Sequence, residues 1–273
     1  MKNTNIAITG SKGFIANYLC NYFSNSSKIN IIKLSSSINN NETNYYSIGK
    51  KINEDILKKT QVIILCAHDF KNEDESFQKK GVDIIFKQIR ELNLKIKIVY
   101  ISSLAAFKGA RSLYGKSKYL MEEIIKKNEG IIIKPGIVYG DKNLNGLINK
   151  ISTFTEKYKI VPAFINLDSK IYLSHIEDLC KCVDQIIQNE KKGVFLCVNI
   201  NSYTFKELIN KFSKNKKIIV IPIIWQIVFI VIKIIEIFKF NVAFRSDSVL
   251  SLAKQNKNPK NGVSLTYTNL FRN

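Results

Sequence analysis

Cysteine, histidine and arginine are scarce in this chain of 273 residues, and each shortage excludes a class of protein. The five cysteines are scattered and include no Cys-x-x-Cys pair, so they cannot form the dense disulfide framework of a small secreted domain. Two histidines and no acidic cluster argue against a structural metal site. We therefore expect reduced cysteines packed as small core residues, a cytoplasmic location and no bound metal.

The charge is strongly positive, with a formal value of +20, but it is not distributed as in a nucleic-acid-binding protein. Only four of the 42 cationic residues are arginine, and the lysines are spread along the whole chain. A protein that reads nucleic acid is expected to cluster its cations and to use arginine for bidentate contacts. We therefore expect no nucleic-acid partner, and a positive field that attracts a phosphorylated small molecule.

Strand-like and helix-like patterns alternate from the start of the chain. Continuous apolar runs predict strands at residues 5–9, 29–34, 62–67, 97–102 and 131–134, and amphipathic patterns predict helices at 14–23, 77–92 and 114–127. Runs without polar alternation are typical of parallel strands that are covered on both faces. The alternation therefore predicts an α/β protein with a Rossmann-like, doubly wound parallel sheet.

The regular alternation ends near Pro135, and the rest of the chain has a looser pattern with no internal repeat. A capping box formed by Thr204 and Glu207 predicts the start of a later helix. We predict a nucleotide-binding core over residues 1–165, to which later strands return. A small C-terminal substrate-binding lobe, mainly residues 166–273, is predicted to follow without a sharp boundary.

The most apolar segment, residues 218–238, is interrupted by Pro222 and three polar residues. Its unbroken apolar runs are shorter than the ~20 residues that a bilayer requires, so stable membrane insertion is not expected. The segment predicts a short strand followed, after Pro222, by a buried or partly exposed helix. The alternative is a helix that lies on a membrane surface, with Lys233 and Lys239 near the headgroups.

A glycine-rich turn directly follows the first predicted strand. Gly10 permits a tight turn, Gly13 lets the backbone approach a diphosphate, and Ala16 is small enough for the next helix to pack near the strand. The N-terminus of that helix then offers N–H donors to an anion. A glycine motif is informative only in this strand–turn–helix context. The predicted cofactor-binding residues here are Gly10, Ser11, Lys12, Gly13, Phe14 and Ile15.

The residues after the second predicted strand do not decide between NAD and NADP. NAD sites usually carry an acid there and NADP sites an arginine, whereas this chain has Leu34 followed by three serines, of which Ser35 is the first. Lys33 and the serines could take a 2′-phosphate. The prediction therefore leans slightly towards NADP, with NAD left open and Ser35 among the cofactor-binding residues.

Tyr114 and Lys118 are four residues apart, so both project from one face of a predicted helix. A free tyrosine titrates near ~10, and an adjacent ammonium is expected to lower that pKa. Tyr114 could then act as an acid or base on a hydroxyl or carbonyl group. Ser102 and Ser103 end the strand upstream, where a hydroxyl can hydrogen-bond the oxygen of a substrate.

Six stretches resemble the extended short-chain dehydrogenase/reductases, specifically the nucleotide-sugar epimerase/dehydratase group. In chain order they are TGSKGFIA, VIILCAH, IVYISSLAAF, YGKSK, IIIKPGIVYG and YLSHIEDL. The resemblance spans residues 5–180 and is loose beyond them. It implies a NAD- or NADP-dependent enzyme whose catalytic residues are Ser103, Tyr114 and Lys118. It also implies that Pro135 lies near the nicotinamide and that the substrate is a nucleotide-diphosphate sugar.

One departure from the family pattern limits the reaction. Leu104 and Ala105 stand where the 4,6-dehydratases of this group have an Asp-Glu pair, so dehydration is not expected. Reduction of a 4-keto sugar and epimerisation at C4 need only the three shared groups, and both remain open. The resemblance further implies a homodimer that pairs the helices at residues 77–92 and 114–127.

The remaining predicted site residues lie at strand ends, except for one arginine, which is conspicuous because arginine is scarce in this chain. We expect Cys66, Ala67, His68 and Ser102 to border the cofactor, and Arg245 to bind the substrate diphosphate beside Ser103 and Tyr114. Two other functions stay open at this point. One is a non-catalytic nucleotide-binding or assembly subunit, and the other is a reductase of a non-nucleotide substrate, for which the apolar segment at 218–238 is the only support.

Overall fold

The strands and helices predicted up to residue 134 are present, and their bounds agree with the prediction within two residues. A computed structural model describes residues 4–37, 43–70, 75–140, 146–165, 167, 170–189, 192–214, 217–238, 245–256, 259 and 265–266. The strands are β1 Thr4–Thr9, β2 Ile29–Ser35, β3 Thr43–Tyr45, β4 Val62–Leu65, β5 Lys97–Ile101, β6 Ile131–Pro135, β7 Ile137–Tyr139, β8 Ile160–Ile165, β9 Ile171–His175, β10 Gly193–Cys197, β11 Ser202–Tyr203, β12 Ile219–Ile224 and β13 Leu265–Thr266. The helices are α1 Phe14–Ser24, α2 Glu54–Lys59, α3 Glu75–Glu91, α4 Leu113–Lys127, α5 Gly146–Lys157, α6 Ile176–Gln188, α7 Phe205–Phe212, α8 Trp225–Ile237 and α9 Ser246–Ala253.

The central sheet has eight strands among the described residues, in the order β13-β10-β6-β5-β4-β1-β2-β3. All of its strand pairs are parallel. The strands β1 to β6 lie in the order β6-β5-β4-β1-β2-β3. This is the order of a doubly wound nucleotide-binding fold, in which the winding direction reverses at β1. The predicted α/β class with a Rossmann-like sheet is confirmed, and the loop after β1 lies at the switch point.

Helices cover both faces of the central sheet, which explains the unbroken apolar runs of its strands. α1 and α6 pack on one face, where Ile8, Ile64 and Val99 are fully buried. α3 and α4 pack on the other face, against Ala7 and Ile63. Full burial of an aliphatic side chain of this size contributes ~1.5–3 kcal/mol, so strands covered on both faces favour apolar residues at every position.

The C-terminal half contributes both to the central sheet and to a second hydrophobic core. β10 pairs with β6, and β13 pairs with β10, so later strands do return to the first sheet. α5, α7, β8 and β9 enclose the second core around Ile148, Leu173 and Leu208. α7 begins at the predicted capping box, in which the Glu207 N–H donates to Thr204 Oγ1 at 3.2 Å. The division of the chain near residue 165 stays a prediction.

Residues 218–238 fold as a strand and a helix, as the sequence predicts. β12 contains Pro222 and continues for two residues beyond it, and α8 then begins at Trp225. Much of α8 is exposed. Within the described ranges, every helix is too short or too polar to cross a bilayer.

Two local expectations are wrong. Cys182 on α6 and Cys197 on β10 form a disulfide, whereas the sequence predicts reduced cysteines throughout. The two sulfurs meet because α6 packs on the sheet face that includes β10, a contact that the spacing along the chain does not reveal. Pro135 does not end its strand but continues β6, opposite Cys197. The strands β3, β7 and β11 were not predicted because two or three residues are too few to show a pattern.

Candidate active site

The turn between β1 and α1 is pressed against the chain that leaves β4. Gly10 has a φ of +66°, and a Cβ there would lie 2.9 Å from the Ala67 Cα, so a larger residue requires backbone movement. The Gly13 N–H donates to the Gly10 carbonyl oxygen at 2.7 Å and closes the turn. Thr9 Oγ1 accepts hydrogen bonds from the Cys66 and Ala67 N–H groups, both at 3.1 Å. These contacts hold the turn at the switch point of the sheet.

The first turn of α1 fits an anion such as the diphosphate of a dinucleotide. Its N-cap is Gly13, which has no side chain to accept from the free N–H groups, and the first turn contains no acid. Ser11 is 5% exposed, and its hydroxyl has no partner within the described part of the chain. A buried hydroxyl without a partner costs free energy, which a bound phosphate oxygen would recover. The residues present therefore fit a dinucleotide.

The other predicted cofactor residues border the same region. Lys12 is exposed, whereas Phe14 and Ile15 are partly buried where α1 begins. Ser35 ends β2 in a buried position, and its hydroxyl accepts from the Ser37 N–H at 3.3 Å. The structure therefore places these residues around the switch point, and their contacts with a cofactor remain a prediction.

Ser103, Tyr114 and Lys118 lie together beyond the carboxyl end of β5. The Ser103 side chain lies near the Tyr114 phenol, close enough to affect its pKa. The Lys118 ammonium donates to the Ile101 carbonyl oxygen at 2.9 Å, and its Nζ atom is 6.0 Å from the centroid of the Tyr114 ring. Lys118 is only 3% exposed, so its charge is screened weakly by water. The structure thus brings together the three residues that the sequence predicts as catalytic.

Burial shifts the pKa values of Tyr114 and Lys118 in opposite directions, each towards the neutral form. Burial raises the pKa of Tyr114, and the nearby Ser103 side chain opposes this shift. Burial lowers the pKa of Lys118 to about 8, and electrostatic interactions with Cys66 and Glu122 oppose that shift. The expected lowering of the Tyr114 pKa by the neighbouring ammonium is therefore wrong for the protein alone, because desolvation of the phenolate outweighs the opposing effect of Ser103.

Two aromatic residues after β4 enclose the Tyr114 ring. The His68 ring meets it edge-on with centroids 5.0 Å apart, and the Phe70 ring stacks on it with centroids 5.8 Å apart. Burial, followed by the Lys118 charge, lowers the pKa of His68 to about 3, so the imidazole is neutral at neutral pH. Its Nε2 atom is buried without a partner among the described residues. Because Ala67, the preceding residue, contacts the β1–α1 turn, this short segment connects that turn to Tyr114.

The start of α9 contacts the same region from the C-terminal part of the chain. The Asp247 carboxylate accepts from the backbone N–H groups of Leu113 at 2.7 Å and Tyr114 at 3.3 Å, so it caps the helix that carries the tyrosine. Arg245 Nη1 donates to the Phe70 carbonyl oxygen at 2.8 Å. Arg245 therefore lies beside the site as expected, and its contact with a substrate diphosphate stays a prediction. Phe70 and Asp247 were missed because neither belongs to a local motif.

A buried ion pair supports the loop that carries Ser103. The Lys134 ammonium is 2.8 Å from the Glu122 carboxylate, and the two side chains are 12% and 2% exposed. The Ser102 hydroxyl donates to the same carboxylate at 2.5 Å, and Lys134 also donates to the Ala106 carbonyl oxygen. Ser102 therefore has its hydroxyl turned to Glu122, and its N–H donates to the Ile133 carbonyl oxygen at 2.8 Å, so its contact with a cofactor stays a prediction. The four-residue interval between Lys118 and Glu122, which places both on one face of the helix, could have indicated this acid.

Several solved structures with the same architecture are nucleotide-sugar enzymes. A dTDP-glucose 4,6-dehydratase from Bacillus anthracis in complex with NAD is 17% identical, with a TM-score of 0.66 over 92% of this chain and 95% of that chain. A UDP-N-acetylglucosamine 4-epimerase from Bacillus cereus is 18% identical, with a TM-score of 0.65 over 91% and 94%. A dTDP-4-dehydrorhamnose reductase from Bacillus anthracis in complex with NADP is 16% identical, with a TM-score of 0.64 over 93% and 98%.

The chain has the fold of the extended short-chain dehydrogenase/reductases. The resemblance seen in the sequence is thereby confirmed at the level of the fold. No protein-family model and no curated protein sequence matches the chain. At identities below one fifth, the likeness establishes the architecture, and the reaction has to be argued from the site.

Within this dehydrogenase/reductase fold, the two residues after Ser103 carry no acid–base group. Leu104 is 7% exposed and packs with Leu196 and Val198. The Ala105 N–H donates to Ser103 Oγ at 3.2 Å, so the backbone of the loop orients the serine. The side chains at 104 and 105 therefore contribute to packing and loop geometry only.

Gly10→Ala should weaken NADH and NADPH binding by at least about tenfold and lower the free energy of unfolding by ~1–3 kcal/mol, because the new Cβ meets the Ala67 backbone. Gly109→Ala is the matched control, since Gly109 also has a positive φ but nothing lies within 4 Å of its ideal Cβ. Cofactor fluorescence titration and urea unfolding measure the two effects. Equal dinucleotide affinity in both variants would contradict the placement of the diphosphate at this turn.

Asp247→Ala should lower the free energy of unfolding by ~1 kcal/mol, because two N–H groups at the start of α4 lose their charged acceptor. It should also lower turnover more than cofactor affinity, since one of those groups belongs to Tyr114. Ser248→Ala, on the exposed side of the same helix, is the control. If Asp247→Ala leaves both unfolding and turnover at the level of the control, the capping role is wrong.

Proposed function

We propose that the protein transfers a hydride between a nicotinamide dinucleotide and a sugar carbon of a nucleotide-diphosphate sugar. One observation carries this proposal: Ser103, Tyr114 and Lys118 lie together next to the β1–α1 turn. The segment that contains His68 contacts both Tyr114 and that turn. A proton-transfer group thereby lies beside a turn that fits a dinucleotide. The nucleotide-sugar enzymes that share the fold support the same class of substrate.

The nicotinamide, when bound, supplies or accepts the hydride, and the protein handles the proton. Ser103 orients the substrate oxygen by a hydrogen bond, and Tyr114 gives a proton to that oxygen during reduction or removes one during oxidation. Because burial raises its pKa, the phenol is protonated at neutral pH and suits the reducing direction. Lys118 is fixed by its bond to the Ile101 carbonyl oxygen, with its remaining N–H groups available to the phenol and to a cofactor ribose.

Reduction of a keto sugar and epimerisation through a keto intermediate use these same groups, and both belong to the proposal. Dehydration is not part of it, because positions 104 and 105 offer no carboxylate beside Ser103. A non-catalytic role is disfavoured, since the Ser103 side chain and the buried Lys118 ammonium both lie beside the Tyr114 phenol.

The proposed cofactor is NADP or NAD, with a slight preference for NADP. The solved structures of this fold include complexes with each of them. Ser35 lies at the end of β2, where an adenosine ribose would be held. Lys33, two residues earlier on the same strand, adds positive charge. We also propose that the protein forms a homodimer through α3 and α4, as the family resemblance implies, which light scattering can test.

The direct test is turnover of the purified chain with a panel of dTDP- and UDP-linked 4-keto and 4-hydroxy hexoses, in the presence of NADPH or NADH. Consumption of reduced cofactor with a keto sugar indicates reduction. Conversion of one hydroxy epimer into the other, without net cofactor consumption, indicates epimerisation. Tight cofactor binding without turnover of any sugar nucleotide would favour the non-catalytic alternative or a different substrate class.

The pH dependence of reduction should follow Lys118. Because the folded pKa of this amine is lowered to about 8, the ammonium beside Tyr114 loses its proton as the pH rises through that value. We therefore expect kcat/KM for reduction to be constant from pH ~6.5 to ~7.5 and to fall above pH ~8, well below the ~10.4 of a free lysine. A profile that stays flat to pH ~10 would contradict a role for the Lys118 charge.

A further inference from the structure

One face of α8 is apolar and exposed along its whole length. Six residues form it, and each is between 48% and 68% exposed: Ile227, Ile230, Val231, Ile234, Ile237 and Phe238. Their spacing of three and four residues places them on a single side of the helix. We call this set the apolar stripe. A continuous exposed patch of large aliphatic side chains is unusual on a protein surface unless it binds something.

The opposite face of α8 is firmly attached to the protein, so the stripe cannot turn inward. Trp225 is buried there and packs with Val249 and Ala253 of α9. The Glu236 carboxylate accepts from the Ser246 N–H at 2.8 Å and from the Ser246 hydroxyl at 2.5 Å. These contacts fix the rotation of the helix about its axis, and they also occupy the acid of α8 on the side away from the stripe.

The length of α8 suits a helix that lies on a membrane and does not cross it. Its 13 residues span ~20 Å at 1.5 Å per residue, whereas the hydrocarbon core of a bilayer is ~30 Å thick. A helix of this kind lies in the interfacial plane, with its apolar side at the level of the acyl chains. The stripe would bury six large side chains in that position while the other face stays on the protein.

Charge favours a negatively charged surface over a second copy of the chain. Lys233 is exposed at the edge of the stripe, and no residue of the stripe is acidic. The homodimer proposed above uses α3 and α4 and leaves the stripe free, and the formal charge of +20 on the whole chain favours attraction to an anionic lipid surface. Lys239, which the sequence analysis also places near headgroups, lies outside the described residues.

We propose that the apolar stripe of α8 docks this protein on a membrane surface that contains anionic lipids, with Lys233 among the headgroups. The proposal does not depend on the reaction, because it concerns the side of α8 away from the contact with α9. α9 also caps the helix that carries Tyr114, so docking would hold the active site close to the bilayer surface.

The test is co-sedimentation of the full chain with vesicles of phosphatidylcholine alone and of phosphatidylcholine mixed with phosphatidylglycerol. We expect partition into the mixed vesicles, weaker partition into the neutral ones, and a decrease with added salt. Ile227→Gln with Ile230→Gln should reduce partition at least about tenfold, because two apolar side chains leave the acyl region. Tyr45→Gln with Ile200→Gln is the matched control, since these side chains are 57% and 53% exposed and are not part of α8.

Lys233→Glu provides a second variant that leaves the stripe unchanged. It should weaken binding to the mixed vesicles severalfold and leave binding to neutral vesicles unchanged. Equal binding of the protein to both vesicle types, or no binding to either, would overturn the proposal. So would a solution dimer that the Ile227→Gln, Ile230→Gln variant converts to a monomer by light scattering, because the stripe would then be an interface between copies.

Discussion

Replacement of Tyr114 by phenylalanine should lower kcat by about 10²–10⁴-fold, the usual contribution of a positioned general acid or base. The change removes only the hydroxyl, so the ring can keep its contacts with His68 and Phe70. Dinucleotide affinity should change less than about threefold, since the β1–α1 turn is not altered. Turnover with excess cofactor and sugar nucleotide, together with cofactor fluorescence, separates the two effects.

Tyr119→Phe is the matched control for that experiment. Tyr119 lies on the same helix and is also partly buried, but its ring contacts Lys126, away from the triad. We expect this variant to keep the full rate. Equal rates for Tyr114→Phe and the unmodified protein would remove the phenol from the reaction, and with it the proposed function, even if the dinucleotide still binds at the β1–α1 turn.

Glu122→Ala should lower the free energy of unfolding by ~3–5 kcal/mol, because it leaves the buried Lys134 ammonium without its counter-charge. The Ser102 hydroxyl would lose its acceptor in the same step. Glu122→Gln, which keeps an acceptor oxygen but not the charge, should cost less. Urea unfolding followed by circular dichroism measures these differences.

Glu123→Ala tests whether burial causes the large effect. Glu123 is the next residue on the helix and also pairs with a lysine, Lys126, but its side chain is 50% exposed. An exposed pair of this kind contributes ~0–1 kcal/mol, so the control should be nearly neutral. A double variant, Glu122→Ala with Lys134→Met, should recover part of the lost stability because no buried charge remains. Similar losses for Glu122→Ala and Glu123→Ala would mean that the buried pair does not support the loop.

The C-terminal elements contribute more to the site than their position in the chain indicates. Arg245 holds the carbonyl group of Phe70, which stacks on Tyr114, and Asp247 caps the helix of the same tyrosine. Both residues lie in a part of the sequence that resembles the family only loosely. The position of the phenol therefore depends on α9 as well as on the strands and helices of the central sheet.

Local sequence determined the features that depend on neighbouring residues. Unbroken apolar strands predicted the parallel sheet, the position of Gly10 predicted the tight turn between β1 and α1, and the four-residue interval between Tyr114 and Lys118 placed them on one helix face. These predictions succeed because strand burial, a positive φ and the helical repeat act within a few residues.

Only the tertiary structure decided the features that join distant segments. The Cys182–Cys197 disulfide, the pair of Glu122 with Lys134 and the cap from Asp247 all require contacts between separate elements. The direction of the Tyr114 pKa shift belongs to the same class, because it is the balance of desolvation against the opposing effect of the Ser103 side chain. Burial is a property of the assembled fold, so a residue pattern could place the phenol beside the amine but could not show which effect is larger.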